Sequence, residues 1–122
     1  MFEPKGIMPV LRVSEMNRSL QFSTGNLGFA VVWRKEGDGG SEDCLLKWGS
    51  AELLLSTGSH LGESPKLTGT LYFNGEGVAE LFESVRHRVS LVWPLSDMEY
   101  GTREFGVHDP DGYVLVFAQE SA

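Results

Sequence analysis

The chain is poor in the residues that form disulfides and metal sites. It has one cysteine, Cys44, which excludes a disulfide within the chain, and only three histidines. No apolar run approaches the roughly 18 residues that a membrane-spanning helix needs, which argues against a membrane partner. The opening MFEPKGIMPV lacks the charged and apolar regions of a signal peptide. We therefore expect a cytoplasmic protein with a free, buried cysteine.

Basic residues are also scarce. The chain has 10 Lys and Arg against 17 Asp and Glu, which gives a net charge of −7. This balance argues against nucleic acid as a partner, because a phosphate backbone is bound by a basic face. It is compatible with a cationic ligand and equally with plain solubility. A length of 122 residues predicts one domain, residues 1–122.

Periodicity predicts the same order of elements twice. In the first half we expect strands at 9–13, 29–34, 44–48 and 51–56, with a helix that starts at Ser14 as N-cap and ends near Asn26. After a polar linker we expect strands at 68–74, 89–93, 103–109 and 113–119, with a helix at 75–88. Pro94 is predicted to end its strand and to open a loop.

Aromatic and β-branched residues recur at an offset of 60, as in Phe22 and Phe82 or Trp33 and Trp93. Such an offset indicates a duplicated module. The modules are expected at about 7–57 and about 68–120, with a linker at about 58–67. The last hairpin turns at DPDG, where Asp109 caps the turn, Pro110 presets it and Gly112 supplies the left-handed residue. We expect the His108 ring to bond within this turn.

Two segments, LRVSEMNRSLQFSTGNLGF at 11–29 and YGTREFGVHDPDGYVLVF at 100–117, resemble the vicinal-oxygen-chelate superfamily. It is also called the glyoxalase/bleomycin-resistance/dioxygenase family. The resemblance covers nearly the whole chain and implies an α+β fold. Two tandem βαβββ modules would form a curved mixed sheet with a concave cavity and with helices on the convex face. It also implies a homodimer in which each cavity takes residues from both chains.

The resemblance further places a His or Glu at several cavity positions of the metal-dependent members. In this sequence those positions hold Met8 (or Val10), Leu54, Thr70 and Val116. None of these is a His, Asp or Glu, whereas a divalent cation needs three or four nitrogen or oxygen ligands. We therefore expect no bound metal and no cofactor, and we expect no catalytic residue.

What is left for function is an aromatic cavity with polar edges. Strand alternation and the resemblance give these candidate ligand-binding residues: Arg12, Trp33, Trp48, Glu52, Thr70, Tyr72, Trp93, Tyr100, Arg103 and Glu104. Each tryptophan could equally be plain core packing. Arg12 needs an acidic partner, which could be Glu52, Glu104 or a ligand carboxylate.

The function we expect is metal-independent binding of a small aromatic or cationic molecule. The resemblance to metal-free bleomycin-resistance proteins makes a bleomycin-type antibiotic, sequestered in a dimeric cleft, one candidate ligand. An alternative is a glyoxalase- or dioxygenase-type enzyme with a displaced metal site, for which Glu52, Glu104 and His108 are the candidate group. A third hypothesis is a regulatory domain whose dimer surface matters more than its cavity.

Overall fold

The chain folds as two compact units. The computed structural model describes residues 1–121, and it describes Asp38 by its backbone alone. The first unit covers Met1–Lys66 and the second begins at Leu67. Ala122, the last residue of the predicted domain, lies outside the described residues.

The two units share the order strand, α-helix, strand, strand, strand. The first has β1 Val10–Arg12, α1 Met16–Leu20, a π-helical segment Gln21–Asn26, β2 Ala30–Glu36, a 3₁₀ turn Asp38–Gly40, β3 Glu42–Trp48, β4 Ala51–Ser56 and a 3₁₀ turn Ser59–Leu61. The second has β5 Thr70–Asn74, α2 Val78–Val85, β6 Ser90–Asp97, β7 Thr102–His108 and β8 Val114–Glu120. Among the described residues, no helix has the length and apolar character needed to cross a membrane.

Each unit contains one four-stranded mixed sheet. The strand orders are β1-β4-β3-β2 and β5-β8-β7-β6. The first and last strands of each unit run parallel, and the other neighbours are antiparallel. The predicted α+β class and the tandem βαβββ repeat are thereby confirmed.

The cores follow the predicted strand alternation. Leu53 and Leu55 of β4 are buried, as are Phe105 and Val107 of β7. In the second unit the apolar stripe of α2 packs on β7, where the rings of Phe82 and Phe105 meet edge to face at 5.2 Å. Burying a side chain of this size stabilises the fold by about 1.5–3 kcal/mol.

The first helix starts one residue later than predicted and ends at Asn26, as predicted. Its N-cap is Glu15, not Ser14, because Glu15 has the extended backbone and its carboxylate accepts the N–H of Arg18. After Leu20 the helix widens into the π-helical segment, where the N–H of Leu27 bonds the carbonyl of Phe22 at 3.2 Å. The α2 helix, Val78–Val85, is shorter than the predicted 75–88.

The prediction that Pro94 ends a strand is wrong. Strand β6 runs through Pro94 to Asp97 and lies at the edge of its sheet. Its pairing with β7 is irregular between Trp93 and Ser96. A proline is tolerated there because a residue at a sheet edge or at a bulge does not have to donate an N–H to a neighbouring strand.

A second irregularity repeats at the offset of 60. The register of β2 shifts between Val31 and Trp33, and that of β6 shifts between Leu91 and Trp93. A bulge of this kind adds a residue to one strand and changes which face the following side chains occupy. Sequence alternation alone does not reveal it.

Candidate functional site

The candidate site lies on the face of the second sheet opposite its core and centres on Glu104. In β7, Phe105 and Val107 point into the core, so Glu104 and Gly106 occupy the other face. Glu104 is nevertheless 0% exposed. A carboxylate buried this completely requires several hydrogen-bond donors, since the loss of water is costly for a charge.

Three hydroxyl groups supply those donors. Thr102 donates to Oε1 at 2.7 Å, Tyr100 donates to Oε1 at 2.9 Å, and Tyr72 donates to Oε2 at 3.1 Å. The two phenol oxygens lie 3.4 Å from each other. The cluster therefore occupies both carboxylate oxygens, and all of its donors are neutral.

Three different elements bring these hydroxyls together. Thr102 lies two residues before Glu104 and so shares its face of β7. Tyr100 lies in the tight turn before β7, where Gly101 has a φ of 95° and the N–H of Met98 bonds the carbonyl of Thr102 at 2.7 Å. Tyr72 comes from β5, which is separated from β7 by β8.

The two tyrosines are exposed residues whose hydroxyls reach a buried carboxylate. Tyr72 is 44% exposed and Tyr100 is 65% exposed, although both hydroxyls reach the buried carboxylate. The hydrogen bond with Tyr72, then desolvation and the contact with Glu104, raise the pKa of Tyr100 above its ordinary value. At neutral pH the phenol of Tyr100 thus keeps its proton.

Trp93 lies in the next row of the same face. It pairs with Gly106, and a Cβ added to Gly106 would lie 3.0 Å from the indole ring. The indole Nε1 is buried and has no hydrogen-bond partner among the residues that the structure describes. A side chain at Gly106 would require the Trp93 ring to shift by a few tenths of an ångström.

The other predicted residues of the second unit lie near this cluster but outside it. Thr70 is exposed and pairs with Val114, one row away from Tyr72. The guanidinium of Arg103 bonds the carboxylate of Asp97 at 2.8 Å. Thr102 was missed by sequence reasoning, although its spacing of two residues from Glu104 was a usable signal.

The first unit presents a different set of predicted residues. The ammonium of Lys35 lies 4.7 Å from the centre of the Trp33 ring, so this ring already carries a cation from its own strand. Glu52 pairs with Lys47 across β3 and β4. Lys35 would therefore repel a positively charged ligand at Trp33, whereas the negative charge of Glu104 would attract one.

Two further predicted residues make contacts within the first unit. Arg12 donates to the carbonyl of Gly62 at 3.1 Å and also to that of Val13, and these bonds fix the linker against β1. Trp48 packs edge to face on the buried Phe29 at 5.3 Å. Its ring leaves no room for a side chain at Gly28, where an added Cβ would lie 2.5 Å from it.

The strand register shows which residues pair with Leu54 and Val116, two of the positions that the resemblance assigns to metal ligands. Val10 of β1 pairs with Leu54, and Tyr72 of β5 pairs with Val116. In the second unit the residue beside Val116 is thus Tyr72, not Thr70. Aliphatic side chains and a phenol do not provide the ligands of a divalent cation, so these residues do not fit a metal.

Among residues 1–37 and 39–121, no group of three or more His, Cys, Asp and Glu is placed to hold a metal ion. A separate polar pocket of about 530 Å³ lies in the first unit and is lined by residues 39–41 and 57–60, including His60. Its lining offers hydroxyls and glycine backbone rather than a buried charge.

The family model for the Glyoxalase/Bleomycin resistance protein/Dioxygenase superfamily matches residues 7–117. The chain belongs to this superfamily. The resemblance drawn from the two sequence segments is thereby confirmed. Among curated proteins, none matches the chain.

Solved structures agree on the fold. A protein of unknown function from Agrobacterium tumefaciens is 24% identical, with 98% of this chain and 97% of that one covered and a TM-score of 0.74. The bleomycin-binding protein of Streptomyces verticillus is 21% identical, with 100% and 99% covered and a TM-score of 0.69. Glyoxalase I from Zea mays is 18% identical, with 94% of this chain but 44% of that one covered and a TM-score of 0.78.

Proposed function

We propose that this protein is a metal-independent binding protein for a small aromatic or cationic molecule, such as a bleomycin-type antibiotic. The observation that carries the proposal is the buried carboxylate of Glu104, which lies behind the open rings of Tyr72 and Tyr100. A buried negative charge bonded only to neutral hydroxyls attracts a cation, and aromatic rings stack on planar groups.

Three further observations support the proposal. The net charge of −7 favours the approach of a positive ligand. Val10, Leu54, Tyr72 and Val116 do not suit a divalent metal. The Streptomyces verticillus protein, which shares this fold, was solved with copper(II)-bleomycin, so the fold accommodates such a ligand.

The wider predicted cavity is part of the proposal. Thr70 and Trp93 would extend the wall around Glu104 within the second unit. Arg12, Trp33, Trp48 and Glu52 are proposed as ligand-binding residues of the first unit, several of which already have partners in the chain. Arg103 lies on the opposite face of β7 from Glu104 and bonds Asp97, so it is not included in the wall around Glu104. We propose that residues 1–122 act as one domain of a cytoplasmic homodimer, with a role in antibiotic resistance.

The alternative is an enzyme of the glyoxalase or dioxygenase type with a displaced metal site. What favours it is that Glu104 and His108 share one face of β7 and that His108 is exposed, with the turn bonds made by Asp109 instead. Elemental analysis of the purified protein separates the two. Stoichiometric zinc, nickel, manganese or iron would support the enzyme.

Binding is tested by isothermal titration calorimetry with bleomycin and with a planar cationic dye, using the full chain and Glu104→Gln. We expect saturable binding that Glu104→Gln weakens at least about tenfold, because a desolvated charge pair loses one partner. The control is Glu120→Gln, which removes the same charge from an exposed residue of the second unit. Absence of saturable binding by the unmodified chain would overturn the proposal.

A further inference from the structure

The hydroxyl protons of Tyr72, Tyr100 and Thr102 all point toward the Glu104 carboxylate. An ionised carboxylate only accepts hydrogen bonds, so each hydroxyl next to it must donate. Tyr100 is 2.9 Å and Tyr72 is 3.1 Å from the carboxylate, whereas the two phenol oxygens are 3.4 Å apart. The shorter, charge-assisted bonds hold both phenol protons on Glu104.

Each phenol oxygen then offers only lone pairs to its surroundings. A tyrosine hydroxyl has a single proton, and here that proton is already used. Both oxygens belong to side chains that are open to solvent, with Tyr72 44% exposed and Tyr100 65% exposed.

From this geometry we propose that Tyr72 and Tyr100 form an acceptor-only site that selects cations bearing N–H donors, such as an amidinium or a primary ammonium. A cation of this kind donates to both phenol oxygens while its charge faces Glu104. A quaternary ammonium has no N–H, so it gains only the attraction to the Glu104 charge and the contact with the tyrosine rings. The inference rests on the proposed binding function and specifies which cations the site accepts.

The test compares two aromatic cations that differ in their N–H donors. Benzamidinium carries such donors and phenyltrimethylammonium carries none, and calorimetry gives the Kd of each for the full chain. We expect benzamidinium to bind about tenfold or more tightly, the usual effect of charge-assisted hydrogen bonds. In the double variant Tyr72→Phe, Tyr100→Phe this preference should fall to about twofold or less.

A second variant addresses the direction of the protons. In Glu104→Gln the amide nitrogen can donate to one of the two phenols, which frees the proton of that phenol and should weaken the preference for benzamidinium. Circular dichroism checks that each variant is folded. The comparison of the two probes on the unmodified chain remains valid even if a variant does not fold.

The outcomes separate the two proposals. Equal affinity of the two probes for the unmodified chain, or a preference that persists without the phenol oxygens, overturns the acceptor-only site and leaves cation binding in place. Failure of both these probes and bleomycin to bind overturns the binding function as well.

Discussion

At the scale of single residues, the chemistry of this protein depends on hydroxyl groups more than on the charged residues that attract attention in the sequence. Arg103 and Glu104 are neighbours, yet Arg103 bonds Asp97 and Glu104 is buried among hydroxyls. The reason is strand alternation, which places adjacent residues on opposite faces. Thr102 shares the face of Glu104 and makes the shortest of its three bonds, at 2.7 Å.

Replacing Thr102 by valine should therefore destabilise the fold. Valine keeps the shape but removes a donor from a buried carboxylate, which costs about 1–3 kcal/mol. Thr70→Val is the matched control, because Thr70 is exposed on the same sheet and should change stability by less than about 0.5 kcal/mol. Urea unfolding of both variants measures the difference, and equal stabilities would contradict the structural role of the Thr102 hydroxyl.

At the scale of elements, the N-terminus of helix α2 is capped by a side chain from strand β8. Its N-cap is Gly77, whose φ of 82° is left-handed and which has no side chain to cap the helix. The amide oxygen of Gln119 in β8 takes over this role and accepts the N–H groups of Gly77 at 2.9 Å and Val78 at 3.1 Å. A cap that comes from a residue about forty positions later is not visible in local sequence.

We expect Gln119→Ala to lower the free energy of unfolding by about 1 kcal/mol, the usual cost of losing a helix cap. Glu120→Ala changes the next residue of β8, which is exposed, and serves as the control. Chemical denaturation followed by circular dichroism distinguishes them. A loss of stability no larger than that of the control would contradict the capping role.

The hairpin turn between β7 and β8 has its own pH dependence. The Asp109 carboxylate accepts the N–H groups of Asp111 and Tyr113, both at 2.9 Å, which confirms the predicted cap. Burial is the largest influence on this carboxyl and raises its pKa, although the backbone bonds oppose it. The folded state therefore binds the Asp109 proton more tightly than the unfolded state does.

The stability that Asp109 contributes is full below its unfolded pKa and is lost as the pH rises through the higher folded pKa. Asp109→Asn keeps an acceptor but cannot titrate. We expect the stability of the unmodified chain relative to Asp109→Asn to fall as the pH increases from about 3 to about 7. Thermal unfolding at several pH values tests this, and a difference that rises with pH would contradict the assignment.

At the scale of the whole molecule, charge should govern how a ligand arrives. The net charge of −7 attracts cations over a distance that salt shortens, from about 30 Å at 0.01 M to about 3 Å at 1 M. We expect the association rate of benzamidinium to fall as salt is added. Benzamide, its neutral analogue, should show little change in stopped-flow measurements. The same salt dependence for both would exclude electrostatic steering.

The repeated module is also a property of the whole molecule. The offset of 60 predicted two equivalent units, and the structure gives them the same strand order. The equivalence does not extend to the chemistry of the sheet faces, because Trp33 is covered by Lys35 and Trp93 packs on Gly106. The duplication thus fixes the architecture while single substitutions make the second unit the candidate site.

The resemblance to the superfamily implied the α+β class. The sequence by itself determined the repeat, the DPDG turn and the face of β7 on which Glu104 lies. These features depend on local periodicity and turn chemistry, which neighbouring residues encode. Only the tertiary structure decided that Tyr72 reaches Glu104, from a position 32 residues earlier in the chain. It also decided the bulges in β2 and β6 and the passage of β6 through Pro94. Such features depend on strand pairing and register, which arise from contacts between segments distant in sequence.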